Sequence, residues 1–293
     1  MKFEPQPKMH IKNIEICRLA KMHIPGAMQL STAERWNQSA ADWQNLIDAC
    51  PDRCLVALYQ NAVVGTVTAT DYGGRVAWVG MMLVSREFRK MGIAKCLLKT
   101  LLKQLTNVPS IKLEATAAGH PLYTKLGFKE ELTVHRMVNP KIIGHALDTD
   151  YNGRAKQSTK NDIRRAFELD SSIFGADRSQ IIDLFLSNQA WHLESNGEIN
   201  GFLLTRHGID YLQLGPLSAK TPEDAKVLIS EALVQHFEKP MVVDILADKN
   251  SLKEFLISLG FEVQRSFKRM YLKNNSFSGT LEHQFLIAGP ELG

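Results

Sequence analysis

At 293 residues the chain is long for one compact domain, so two domains are expected. Its 44% hydrophobic and 23% charged residues are ordinary for a globular protein, and a mild charge of +4 on scattered basic residues does not argue for wrapping DNA or RNA. Four sparse cysteines imply no disulfide framework, Cys50 and Cys54 lack a second Cys or His pair at metal-site spacing, and no apolar run reaches membrane-spanning length. Residues 1–12 also lack a signal-peptide core. The expectation is a metal-free cytoplasmic protein with no nucleic-acid or membrane partner.

Residues 13–19 alternate and read as a first strand. A helical turn over 27–33 follows Pro25-Gly26. A helix over 40–49 starts at Ser39 with Asp42 and turns Trp43, Leu46 and Ile47 inward. Residues 54–60 and 63–70 are hairpin strands about Gln60-Asn61. Residues 76–84 are an apolar run suited to a buried strand. A basic, glycine-containing loop (86–94) then leads into a helix over 93–106 with Leu97, Leu98, Leu101, Leu102 and Leu105 on one side. A strand at 111–115, a short helix at 121–126 closed by Gly127, and one or two strands over 128–138 complete this half.

Residues 139–159 carry prolines, glycines, Asp and Lys with little periodicity and read as a linker. The same order of elements then returns: helices over 160–172 and 178–188, hairpin strands at 190–195 and 201–206, a strand at 211–217, a helix from Thr221-Pro222 to 237, a strand at 241–246, a helix at 251–259 and a last strand at 267–272. Leu126-Gly-Phe128 recurs as Leu259-Gly-Phe261, and Arg136-Met137 as Arg269-Met270, both 133 residues on (259 minus 126, 269 minus 136). Gly65 and Gly80 match Gly201 and Gly215 in place. The chain reads as two copies of one α/β (α+β) fold: a first domain over 1–140, a linker over 141–159 and a second domain over 160–293.

The run from Val79 to Leu98 carries the first functional signal. The opening amides of a helix have no partner within it and lie at the positive end of its dipole, so this loop can dock a phosphorylated cofactor. Arg89-Lys-Met-Gly92-Ile-Ala94 resembles the R/Q-x-x-G-x-G/A signature of the GNAT superfamily of N-acetyltransferases. Downstream, Leu113 to Phe128 is similar to that family's next strand and short helix, ending in Tyr-x-x-x-Gly-Phe. The second half also resembles a GNAT repeat, of the bacterial tandem type. There the loop is replaced by Ser218-Ala-Lys-Thr-Pro-Glu-Asp-Ala225, which has no glycine, opens its helix with two acids and loses an amide to Pro222. No tyrosine in Leu252-Lys-Glu-Phe255 matches Tyr123. One cofactor site, in the first domain, is therefore expected.

The resemblance implies two tandem GNAT folds, each a mixed, mostly antiparallel sheet flanked by helices, and acetyl-CoA as co-substrate. Its pyrophosphate would meet Met91, Gly92, Ile93, Ala94 and Lys95, with Arg89, Lys90 and Lys95 adding charge. Met82, Leu83 and Val84 would pair with the pantetheine arm, and the second motif extends the set to Thr116, Gly119, Pro121 and Tyr123. Tyr123 matches the family's usual general acid. The strand over 79–84 lacks the glutamate many relatives carry, so Glu114 on the neighbouring strand is the nearest base, with an ion-pair role as its alternative; His120 and a water chain are others. Trp36, Asn37 and Gln38 lie in the loop that overhangs the acceptor in this superfamily, or else pack and cap. The expected activity is acetyl transfer to a small-molecule amine by direct attack in a ternary complex. A non-catalytic acyl-CoA sensor and a protein or peptide N-acetyltransferase are the alternatives. The second domain is left to shape the acceptor site or a homodimer.

Overall fold

The computed structural model describes residues 13–141, 154–181, 184 and 188–293. The first half comprises β1 (Glu15–Arg18), α1 (Ile24–Ala33), α2 (Ala40–Ala49), β2 (Cys54–Tyr59), β3 (Ala62–Tyr72), β4 (Val76–Val84), α3 (Ile93–Gln104), β5 (Ser110–Ala115), α4 (His120–Lys125) and β6 (Lys129–Asn139). The second comprises β7 (Lys156–Gln157), α5 (Lys160–Phe174), β8 (Ala190–Ser195), β9 (Glu198–His207), β10 (Leu212–Ala219), α6 (Pro222–His236), β11 (Met241–Leu246), α7 (Asn250–Ser258), β12 (Glu262–Lys273) and β13 (Gln284–Leu286). The helix expected over 178–188 and the linker over 141–159 fall partly outside the described residues. What is described of them is a 3-10 turn at Ser179–Ile181 and β7, which pairs with β8.

Local chemistry sets the helix starts. Ser39, Thr159 and Thr221 each accept from the backbone amide three residues on, and that residue is Asp in all three cases. Gly127, at φ +92°, closes the turn after α4 in the left-handed region that a side chain disfavours.

The strands form one 13-stranded sheet in the order β1-β2-β3-β4-β5-β12-β6-β11-β13-β10-β9-β8-β7. Among the described residues only β4–β5 and β10–β11 run parallel; every other pairing is antiparallel. Each half supplies the mixed, mostly antiparallel set of strands with flanking helices that the resemblance implies, but the two sets do not stand apart. Instead the last long strand of each half crosses into the other. β12 lies between β5 and β6, and β6 lies between β12 and β11. The recurring Arg-Met pair shows why this register holds. Arg269 on β12 stands opposite Glu114 on β5, and Arg136 on β6 stands opposite Asp244 on β11. Each half lends an arginine to the other half's acid. On one face, apolar residues of α1 and α2 (Ala27, Leu30, Trp43, Leu46) join those of α5 (Ile163, Phe167, Phe174) in a single core that spans both halves.

Candidate active site

β4 and β5 pair in parallel only from Val76↔Ser110 to Val79↔Leu113. Beyond that point β4 stays with β3 and β5 stays with β12, so the two strands part into a wedge. A bulge marks the parting. Met81 has φ +49°, the β3–β4 register shifts there, and Thr66 Oγ1 donates to the Met81 carbonyl at 2.8 Å. Met82, Leu83 and Val84 thus line the wedge, with no β5 pairing among the described residues. Such a gap between strand edges suits an extended chain with its own amides.

The loop after β4 ends at the mouth of the wedge. Lys90 (φ +64°) and Gly92 (φ +88°) are both left-handed, and Gly92 caps α3. Unlike α2, α5 and α6, α3 has no side-chain cap and no acid in its first turn. Its opening amides therefore lack the internal partner the other three helices carry, as an anion cradle requires. Lys90, Gly92 and Lys95 are exposed, Met91 and Ala94 half-buried, and Ile93 packs inward under the loop. Arg89 is turned elsewhere: it donates to Glu34 at 2.7 Å and to the Val84 carbonyl at 3.3 Å. It braces the loop against the end of α1, together with Arg86, which also reaches Glu34.

Across the wedge, the Thr116 side chain accepts from the Gly119 amide at 3.2 Å, Pro121 opens α4, and Tyr123 is buried against Phe128. A side chain on Gly119 would meet the Tyr123 ring at 2.9 Å, so glycine admits the ring. Burial pushes the Tyr123 phenol well above its usual range, which keeps the proton on the oxygen. His120 is directed to Glu130 at 2.7 Å.

Glu114 is the first β5 residue beyond the pairing with β4 and is fully buried. Its Oε1 accepts from Arg269 Nε at 2.8 Å, and the same guanidinium lies 4.9 Å from the Trp78 ring. Burial, partly offset by Arg269, raises the Glu114 carboxyl to about 7. Comparison with the second half is informative. There Arg136 holds Asp244 through two bonds of 2.8 Å, and Gln213 adds a third at 3.2 Å. In the first half Glu114 Oε2 and Arg269 Nη2 are buried without partners among the described residues. The pair is closed where the cofactor loop is missing and open where it is present.

The acceptor-side residues divide. Asn37 is fully engaged with the second half: its Nδ2 donates to the Tyr211 carbonyl, and its Oδ1 accepts from the amides of Asp210 and Tyr211. Gln38 is buried with Oε1 unpartnered, and Trp36 is half-buried against the shared core. Sequence reasoning gave the chain after β13 no role at the site. Residues 288–293 lie over β4, with Trp78 Nε1 donating to the Pro290 carbonyl at 3.0 Å and the Tyr72 hydroxyl to the Leu292 carbonyl at 2.7 Å. The available signal was Gly80, a glycine inside an otherwise bulky strand, which marks a close backbone approach. Among the described residues no group of three or more His, Cys, Asp or Glu is disposed to hold a metal.

In the second half, β10 and β11 part in the same way after Leu214↔Val243, but β13 fills the gap. Leu286 pairs with both Leu217 and Ile245, and the Ile287 carbonyl occupies the place a side chain on Gly215 would take.

Models of the acetyltransferase (GNAT) family match residues 25–128, and those of an acetyltransferase (GNAT) domain match 166–286. The chain is 26% identical over 254 residues to the uncharacterized N-acetyltransferase YitH of Bacillus subtilis (strain 168), covering 84% of this chain and 87% of that one. Among solved structures, a candidate acetyltransferase from Pyrococcus horikoshii superposes with a TM-score of 0.82 at 19% identity over the whole of both chains. A tandem GNAT protein from the clavulanic acid biosynthesis pathway gives 0.61 at 13% identity, over 90% of this chain and 99% of that one. Two family matches in tandem, taking in more than half of the residues and falling on the two exchanged halves of one sheet, place the chain in the GNAT superfamily of acetyltransferases.

Proposed function

We propose that the protein is an acetyl-CoA-dependent N-acetyltransferase that acetylates the amine of a small molecule, by direct attack in a ternary complex, at the β4–β5 wedge of the first half. The observation that carries this reading is the contrast between the wedges: among the described residues no strand enters the wedge of the half with the uncapped, glycine-started helix, and the wedge of the other half is plugged by β13. Acetyl-CoA supplies an acetyl group activated as a thioester. The opening amides of α3, with Lys90 and Lys95, hold its pyrophosphate, and the edge of Met82, Leu83 and Val84 aligns its arm. An amide of the bulged Met82–Leu83 edge polarises an acyl oxygen. Glu114 Oε2 takes the proton an amine must lose, and the Tyr123 hydroxyl holds one to give. Four free cysteines are in keeping with a reducing, cytoplasmic setting.

The test is thiol release from acetyl-CoA over amino acids, polyamines, aminoglycosides and amino sugars. Turnover on at least one amine is expected, with Tyr123→Phe slowing it about a hundredfold while acetyl-CoA still binds. Tight acetyl-CoA binding with no amine turned over would reject the reading in favour of a sensor.

A further inference from the structure

We propose that Glu291, in the segment that follows β13, is the acceptor-binding carboxylate of the first-half site, taking the ammonium of a small primary amine; this rests on the transferase reading above and deepens it. The strand that lines the wedge has no acid of its own, and at Gly80 it has no side chain at all. A Cβ on Gly80 would lie 2.8 Å from both Cα and Cβ of Glu291. Glu291 thus fills the room beside the first residue of β4 past its pairing with β5.

Backbone carbonyls on either side of Glu291 fasten the segment there. Pro290 and Leu292 accept from Trp78 and Tyr72, and Gly293 accepts from Arg178 Nη1 at 2.6 Å. Those bonds leave the Glu291 carboxylate for other work. Its Oε1 accepts from Arg206 Nη2 at 2.6 Å, and Arg206 Nη1 donates to Asp42 Oδ1 at 2.6 Å. One guanidinium between two carboxylates leaves one negative charge in excess, and all three residues are buried. Gly289, at φ +145°, lets the chain pass: a side chain there would stand 2.9 Å from Glu291 Oε2 and 3.1 Å from Arg206 Nη2.

The cluster is also incomplete. Glu291 is 3% exposed, yet its Oε2 has no hydrogen-bond partner among the described residues. Thr68, directly opposite Gly80 on β3 and therefore on the same face, is 1% exposed with Oγ1 unpartnered. Among the described residues Arg206 Nε is buried without a partner as well, so the pairing of this guanidinium with Glu291 is half made. A buried carboxylate oxygen left without a donor destabilises a fold until something supplies one. An alkylammonium supplies what is missing, a positive charge and three N–H donors. Glu291 binds it; Arg206 and Asp42 are positioning residues that hold Glu291 in place.

The test compares wild type with Glu291→Gln, Glu291→Asp and Leu292→Ala. Steady-state thiol release is measured at saturating acetyl-CoA over the primary amines of the panel, and calorimetric titration of the same amines is run on CoA-saturated protein. Glu291→Gln is expected to raise the amine KM about ten- to a hundredfold, the worth of a charge-assisted hydrogen bond, with acetyl-CoA affinity unchanged. Glu291→Asp recovers part of the loss. Leu292→Ala, which removes buried packing from the same segment, lowers the melting temperature and leaves amine KM unchanged. Turnover in wild type with an unaltered amine KM in Glu291→Gln overturns this assignment alone. Amine binding by a wild type that shows no turnover, lost in Glu291→Gln, supports the assignment while the transferase reading falls. Neither turnover nor amine binding in wild type overturns both. Should Glu291→Gln fail to fold, Glu291→Asp carries the test, and an unchanged amine KM there overturns the assignment.

Discussion

Glu114 and Asp244 hold equivalent positions in two copies of one fold, and their surroundings separate their roles. Asp244 has both oxygens held by donors, whereas Glu114 has one oxygen held and one vacant. A carboxyl raised to about 7 accepts protons only as pH rises through that value, so the acetylation rate is expected to climb with pH around 7. Glu114→Gln should lower kcat about a hundredfold or more and flatten that limb of the profile. The stability sign runs the other way. The native state keeps a proton that the unfolded chain releases near 4.5, so Glu114's contribution is full below 4.5 and is lost as pH rises through about 7. Denaturant titrations across that window should show the decline, and Glu114→Gln should reduce it. Glu114 and Tyr123 could be picked out in the sequence because they sit on or beside a motif of fixed spacing. Arg269, Arg206 and Glu291 could not: each reaches the site from a distant part of the chain, and nothing local distinguishes a buried arginine from an exposed one.

At the scale of elements, α3 and β6 show what was legible and what was not. The start of α3 follows from a glycine at the one position where the chain needs φ +88°. Gly92→Val is expected to strain that turn by about 1 kcal/mol or more and to weaken acetyl-CoA binding, read by calorimetry. For β6 the sequence left one or two strands over 128–138 where there is one, and its neighbours were not legible, because period-2 alternation says which face is buried and not which strand lies alongside. The recurring Arg-Met pair held that information without revealing it, since each arginine answers an acid in the other copy. Removing one side tests the exchange. Asp244→Ala leaves Arg136 buried and unpaired and should cost about 3–5 kcal/mol in chemical denaturation. Asp244→Leu combined with Arg136→Met should restore much of that loss, because apolar side chains satisfy a buried site without needing a partner.

Over the whole molecule, the two halves share a sheet and one apolar core, so they cannot melt separately. A single calorimetric transition is expected, and two resolved transitions would contradict the exchange. Acetyl-CoA should bind with a stoichiometry of one per chain, since β13 closes the second wedge. The exchange also sets a clock on synthesis. Lys112 on β5 pairs with Tyr271 on β12, 159 residues later (271 minus 112). At roughly 5–20 residues per second, β5 leaves the ribosome on the order of ten to thirty seconds before the strand that covers its edge exists. Throughout that interval Glu114 has no Arg269 and the wedge has only one firm wall, so a nascent or prematurely ended chain carries the whole cofactor motif without a site to use it.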